Sequence, residues 1–267
     1  MTDFKTMKVI KISKKLCIEN KKNRKRWLSP SSINAYIRCP RKFYYSKIAK
    51  LKQKPSIHLI RGIAVHNAIE KFYKYKVNQC ADMEYSRLRK IVIELLRDEW
   101  FAQKKSMRKL DLSNDELGFF VQESKKMMLN FLHDFIHNKG FEKKQPITEK
   151  TLFSKKHRVL GRIDVIHNNK DPPFLVDFKT SKSKKVYDDQ KRQLGIYALL
   201  YKENFNKLPD VAIHFLKFKD GLERFEVTEE FIEDIKKLIA DIHVKTESED
   251  IKDYPCTCGW CDKDFET

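Results

Sequence analysis

Asp177 and Lys179 stand two residues apart in LVDFKTSKS (175–183), a segment otherwise apolar until its Thr-Ser-Lys run. Strand side chains at i and i+2 leave the same face. Val176 and Phe178 would turn to a core while a carboxylate and an ammonium share the other side. An ordinary ion pair on a half-exposed strand also satisfies that spacing. Asp164 widens the chemistry. If the chain reverses between Lys170 and Asp171, inside the turn-rich HNNKDPP, Asp164 falls opposite Asp177, and opposed residues share a face about 5 Å apart. Two carboxylates so placed repel, and a divalent cation is the natural missing partner. Hard oxygen ligands favour Mg²⁺ or Mn²⁺.

That geometry needs a hairpin in a sheet, and the flanking sequence supplies one. ITEKTLFSKK, HRVLGRIDVI and FLVDFKT read as strands, and DDQKRQLGIYALLYKENF as a helix. VAIHFLKFK is a further strand, turned by Asp220-Gly221 into LERFEV, and TEEFIEDIKKLIADIHVK is a last helix with acids in its first turn. Upstream, SPSSINAYIRC starts a helix with Ser29 as N-cap and Pro30 at the first position. Pro40 breaks it just after Cys39, and LIRGIAVHNAIEKFYKYK (59–76) is a second helix. Residues 82–140 show helical periodicity and no strand. Ser113 and Glu116 form a capping box, and Met127, Met128, Phe131, Leu132 and Phe135 are the buried stripe of a long helix. The expected fold is α/β, a mixed sheet flanked by helices with a helical insertion at about 82–140. It occupies 29–267 behind a basic N-terminal segment, 1–28.

The 267 residues include 56 Lys+Arg against 37 Asp+Glu, a net charge of +19. Such an excess suits a polyanion such as nucleic acid, although a lysine-rich composition alone also produces it. No apolar run reaches the about 18 residues of a membrane span, and MTDFKTMKVIKISKK lacks a signal-peptide core. An intracellular, cytoplasmic protein without a membrane partner is expected.

GRID (161–164) followed by DFKT (177–180) resembles the split signature of the PD-(D/E)XK nuclease superfamily, in its RecB-like branch. Two further motifs carry the resemblance: Gly62 and His66 in RGIAVH, and Gln193 and Tyr197 in QLGIY. SPSSINAYIRCPRKFYY (29–45) resembles the branch's opening helix. One departure is Ile163 where the signature has proline. The resemblance implies a restriction-endonuclease-like fold and a divalent metal held by His66, Asp164, Asp177 and the Phe178 backbone carbonyl. Lys179 would orient and help deprotonate the attacking water, and Gln193 and Tyr197 would position the lysine, the water or the strand. Glu149, at the start of a strand, could also reach the site. A bound cation lowers the pKa of its water and polarises the phosphate.

Cys17 and Cys80 stand alone and read as small hydrophobes. Cys39, Cys256, Cys258 and Cys261 resemble the early-plus-C-terminal cysteines of RecB-like nucleases with iron–sulfur clusters, including CRISPR-associated exonucleases. The resemblance implies a 4Fe–4S cluster stapling the first helix to the tail at 254–267. The usual third C-terminal cysteine would lie beyond Cys261, so Cys256 would replace it. Four thiolates also suit zinc, and some relatives have no cluster. The implied activity is Mg²⁺- or Mn²⁺-dependent hydrolysis of DNA, single- or double-stranded and without sequence preference. An exonuclease of DNA repair, recombination or CRISPR spacer acquisition is implied, with protein partners in such a complex. The alternative is a nucleic-acid-binding or assembly module that keeps the fold and cleaves little.

Overall fold

The computed structural model describes residues 26–74, 83–137, 145–261 and 265. Most of the segment expected over 1–28 lies outside these, as do Cys17 and Cys80. Helix α1 (Pro30–Arg38) begins on the Ser29 side chain, which accepts the Ser32 N–H at 3.2 Å. Pro30 sits where no N–H is needed. Cys39 ends α1 in extended conformation, and Pro40 starts α2 (Pro40–Phe43), which runs into a π-helical turn at Tyr44–Ile48. The proline thereby converts one helix into a bend with Cys39 at its corner.

Helix α3 (Ile57–Lys74) follows, then α4 (Tyr85–Ala102), the single turn α5 (Lys104–Met107) and α6 (Asn114–His137). The described residues of 82–140 contain no strand. Glu116 N–H donates to Ser113 Oγ at 3.2 Å and Ser113 N–H to Glu116 Oε2 at 2.8 Å, so α6 opens on a reciprocal cap. The Met127–Phe135 stripe is buried.

Five strands form one sheet in the order β1-β2-β3-β4-β5. β1 (Ile147–Ser154), β2 (Val159–His167) and β3 (Phe174–Lys179) run antiparallel in succession. Helix α7 (Asp188–Phe205) then crosses to β4 (Asp210–Phe215), parallel to β3, and β5 (Leu222–Phe225) returns antiparallel. Helix α8 (Glu229–Lys245) completes the layers. Each sheet face has its own core. Val165, Val176 and Phe178 meet α3, α4 and α6 on one side, while Leu175 and Ile213 meet α7 and α8 on the other. β3 is therefore covered on both faces, and the half-exposed strand allowed by its spacing does not form; Asp177 is only 3% exposed.

The strand expected over 211–219 stops at Phe215, and the Asp220-Gly221 turn becomes a loop spanning 216–221. Buried Asp134 of α6 is the physical reason. It accepts the N–H groups of Asp220 at 3.0 Å and Gly221 at 3.3 Å, and His214 Nε2–H of β4 at 2.7 Å. These bonds satisfy backbone donors that a continuing ladder would otherwise have used. Gly221 is needed there, because a Cβ would lie 2.3 Å from the Phe215 carbonyl oxygen.

Candidate active site

The β2–β3 register is what brings the two acids together. Val165↔Val176, Ile166↔Leu175 and His167↔Phe174 are paired, so the next residue on each strand is Asp164 and Asp177. The ladder ends there. Asp164 fills the gap with its own carboxylate, whose Oδ2 accepts the Phe178 N–H at 2.8 Å. The same oxygen lies 3.4 Å from Nδ1 of His66, carried in by α3. Gly62, one turn earlier on α3, leaves room beside Thr180, whose Oγ1 would lie 3.9 Å from an added Cβ.

Asp177 and Lys179 turn toward α7 and pair at 2.6 Å. Gln193 of α7 holds both. Its Oε1 accepts the Lys179 ammonium at 2.8 Å, and its Nε2 donates to Asp177 Oδ1 at 2.9 Å and to Tyr197 Oη at 2.7 Å. Tyr197 in turn lies over Gly161, where a Cβ would come within 3.0 Å of its ring. The glycine of GRID thus lets Tyr197 and Leu200 pack closely on β2, which a larger residue would push back.

Glu149 is the residue the sequence marked most weakly. Donor atoms of His66, Glu149 and Asp164 lie within 4.8 Å of one another. Asp177 is not part of that group, since its oxygens hold Lys179 and Gln193. Glu149 has φ +51°, a left-handed backbone that costs a non-glycine residue of order 1–2 kcal/mol. The β1–β2 pairs Thr148↔Val165 and Lys150↔Ile163 skip it and Asp164. No alternation of residue types announces such a local kink.

The charges reinforce one another. Burial pulls His66 down, but its hydrogen bond to Asp164 and that residue's charge raise it above the ordinary histidine value. Burial pushes Asp164 up, and His66, the Phe178 N–H and Lys179 bring it below the usual carboxylate range. Lys179 is opposed by burial yet raised by Asp177, so it stays an ammonium. Glu149 is raised by burial and by Asp164. Tyr197 is pushed far up by burial and by both aspartates, and remains a neutral phenol.

The sulfurs of Cys39, Cys256, Cys258 and Cys261 also lie within 4.8 Å of one another. Cys39 is buried at the α1–α2 corner and the tail is docked against it. Arg41 Nε donates to the Tyr254 carbonyl at 2.7 Å, and Thr257 Oγ1 to that of Arg38 at 3.2 Å. Tyr254, fully buried, stacks on Phe43 with ring centroids 6.1 Å apart. Burial pushes the Cys39 thiol up, but the N–H groups of Thr257 and Lys42 and the Cys258 thiol bring it down to about 6. A thiolate poised near neutrality is what a metal requires.

No curated protein sequence matches this chain significantly. A crystal structure of a "Putative exonuclease" from Eubacterium rectale superposes with a TM-score of 0.55 at 10% identity, covering 91% of this chain and 90% of that one. At that identity the likeness establishes a shared fold. The family model described as the PD-(D/E)XK nuclease superfamily matches residues 27–263, which take in the hairpin, both flanking helices and all three tail cysteines. By that match over nearly its whole length, on this sheet and this hairpin, the chain belongs to the PD-(D/E)XK nuclease superfamily.

Proposed function

We propose that the protein is a RecB-like, Mg²⁺- or Mn²⁺-dependent deoxyribonuclease that hydrolyses phosphodiester bonds from strand ends, in DNA repair, recombination or CRISPR spacer acquisition. The observation that carries the reading is the Asp177–Lys179–Gln193–Tyr197 bond network standing beside the His66, Glu149 and Asp164 donors. Two carboxylates and an imidazole fit a divalent cation, the carboxylates suiting Mg²⁺ or Mn²⁺. His66, Asp164 and Glu149 would hold it, with Asp177 and the Phe178 carbonyl as the remaining expected donors. When bound, the cation supplies Lewis-acid polarisation of the phosphate and a water of lowered pKa. Lys179, held protonated by Asp177, donates to the phosphate oxygen where charge builds up. Gln193 fixes the direction of that ammonium, and Tyr197 fixes Gln193. Lys179 therefore serves as an electrostatic donor ahead of any part in deprotonating water.

The four cysteines are proposed to bind a structural centre. Four Zn–S bonds of about 2.3 Å would set sulfurs about 3.8 Å apart, close to the 4.0 Å between Cys256 and Cys258 and wider than the 2.9 Å between Cys256 and Cys261; a 4Fe–4S cluster would hold its thiolates farther apart still. Iron, sulfide and zinc content of protein purified without oxygen decides between them, and absence of all three removes the centre.

The test is digestion of end-labelled linear, circular and single-stranded DNA with Mn²⁺ or Mg²⁺. Wild type should release product from linear DNA while Lys179→Ala, still binding DNA, falls by at least about 10²-fold in kcat. Equal cleavage by the two would overturn the role of Lys179, and none in either would remove the enzyme and leave the assembly module.

A further inference from the structure

Helix α6 ends on two histidines that phosphodiester hydrolysis leaves unused. His133 and His137 stand four residues apart on one face of the helix, and their rings stack with centroids 4.5 Å apart. His133 Nδ1 lies 3.1 Å from Asp134 Oδ1, and His137 Nδ1 lies 2.9 Å from the His133 carbonyl oxygen. An ionised carboxylate and a carbonyl only accept, so each Nδ1 carries the proton and each neutral ring keeps its lone pair on Nε2. Neither Nε2 has a hydrogen-bond partner among the described residues. Metal-ligating histidines are held in this way, the second ring nitrogen donating to a carboxylate or a backbone carbonyl. Here one ring uses each.

Asp134 is the support of such a site and not a ligand in it. Its two oxygens already accept from His133, His214 and the N–H groups of Asp220 and Gly221. Asp220 differs. Its backbone N–H goes to Asp134, but its exposed carboxylate has no partner among the described residues and lies within 4.8 Å of a His133 nitrogen. Capping of the last helical carbonyls accounts for the His137 bond alone. It gives no reason for a second ring stacked beside it with Nδ1 tied to a buried acid.

We propose that His133, His137 and Asp220 bind one Zn²⁺ ion, with water as the fourth ligand, and that this ion fastens the end of the helical insertion to the loop between β4 and β5. Two histidines at i and i+4 on one helix face form a zinc-binding pair. Two Zn–N bonds of about 2.0–2.1 Å set nitrogens about 3.3 Å apart, which these rings reach by a small turn about their Cβ–Cγ bonds. Imidazole suits zinc, whereas Mg²⁺ and Mn²⁺ prefer oxygen ligands. Zinc proteases with this histidine spacing use the acid after the first histidine as a general base. Asp134 holds that position with both oxygens occupied, so the ion acts as a structural tie. None of the three ligands belongs to the hydrolytic or cysteine groups, and the inference stands apart from the nuclease reading.

The experiment titrates Zn²⁺ into the full chain and follows carbethoxylation by diethyl pyrocarbonate, which attacks the unprotonated imidazole nitrogen. Mass spectrometry reads both rings in the tryptic peptide 127–139. Zinc should slow modification of that peptide by at least about tenfold, EDTA should reverse the protection, and Mg²⁺ should give none. His133→Ala/His137→Ala should bind one zinc fewer than wild type. Both chains keep the cysteines and His66, so zinc taken up there cancels in the difference. Asp220→Asn should raise the zinc concentration needed for protection by at least about tenfold. Zinc should also raise the melting temperature of wild type more than that of the double variant. Equal zinc content in the two chains, or a peptide modified as fast with saturating zinc as without it, would overturn the site. Protection unchanged in Asp220→Asn would overturn the tie to the loop. Should the double variant misfold, protection of the wild-type peptide and its reversal by EDTA decide.

Discussion

Gln193 orients three neighbours with one amide, and each bond has a separable consequence. Gln193→Leu leaves the Asp177–Lys179 pair without its guide, and kcat should fall by about 10–100-fold, as for other groups that orient a reacting residue. Tyr197→Phe removes one hydrogen bond worth about 1 kcal/mol, so a drop of about fivefold is expected. Steady-state kinetics on a single-stranded oligonucleotide compare the two; a larger loss in Tyr197→Phe would mean the phenol itself meets substrate. Asp134 illustrates a buried acid with a different task. Burial pushes its carboxyl up, but His214, His133 and the Asp220 N–H pull it to about 2, below the about 3.9 of an unfolded aspartate. A depressed carboxyl stabilises the fold above the unfolded value, and that stability is lost as pH falls through the folded one. Urea midpoints should therefore decline between about pH 4 and 2, and Asp134→Asn should flatten the decline. An unchanged slope in the variant would assign the acid sensitivity elsewhere.

At the level of elements, the β1–β2 kink exchanges stability for geometry. Glu149 sits at φ +51° beside Asp164, so a disfavoured backbone and like-charge proximity oppose it, offset in part by the Arg162 guanidinium 2.7 Å from its carboxylate. Glu149→Gly relieves about 1–2 kcal/mol of backbone cost, while glycine returns about 0.5–1 kcal/mol through its freer unfolded chain. Loss of the mostly exposed Arg162 pair costs up to about 1 kcal/mol more, so these effects nearly cancel. Thermal melts should show the variant close to wild type in EDTA and less stabilised by added Mn²⁺. A variant that gains the full Mn²⁺ shift would take Glu149 out of the donor set. The α1–α2 bend is a second element where position matters more than stability, because a continuous helix would carry Cys39 away from the tail.

On the scale of the whole molecule, the docked tail joins the N-terminal bend to the C-terminus. Tyr254 is buried against Tyr36, Phe43 and Tyr44, so packing holds the contact, with the four cysteine sulfurs gathered beside it. Cys258→Ser should lower the melting temperature and abolish bound metal while leaving the far-UV spectrum of the sheet and helices unchanged. An unaltered metal content would exclude Cys258 as a ligand. Much of this architecture was legible in the chain. The hairpin register followed from two acids and one turn, α1 from Ser29 and Pro30, and α6 from Ser113, Glu116 and a methionine–aromatic stripe, because caps, turns and periodicity act over a few residues. What tertiary structure alone decided involves partners far apart in sequence. Asp134 shortened β4 from 80 residues away, the second face of β3 was covered by helices, and Glu149 gained its place from a kink with no local signature. α1 is tied to α7 by Asn34, which donates to the Asp189 carbonyl and accepts from Arg192, partners more than 150 residues away. Local propensity fixes an element's type, whereas burial, ladder ends and helix-to-helix approach depend on which distant groups remain to be satisfied.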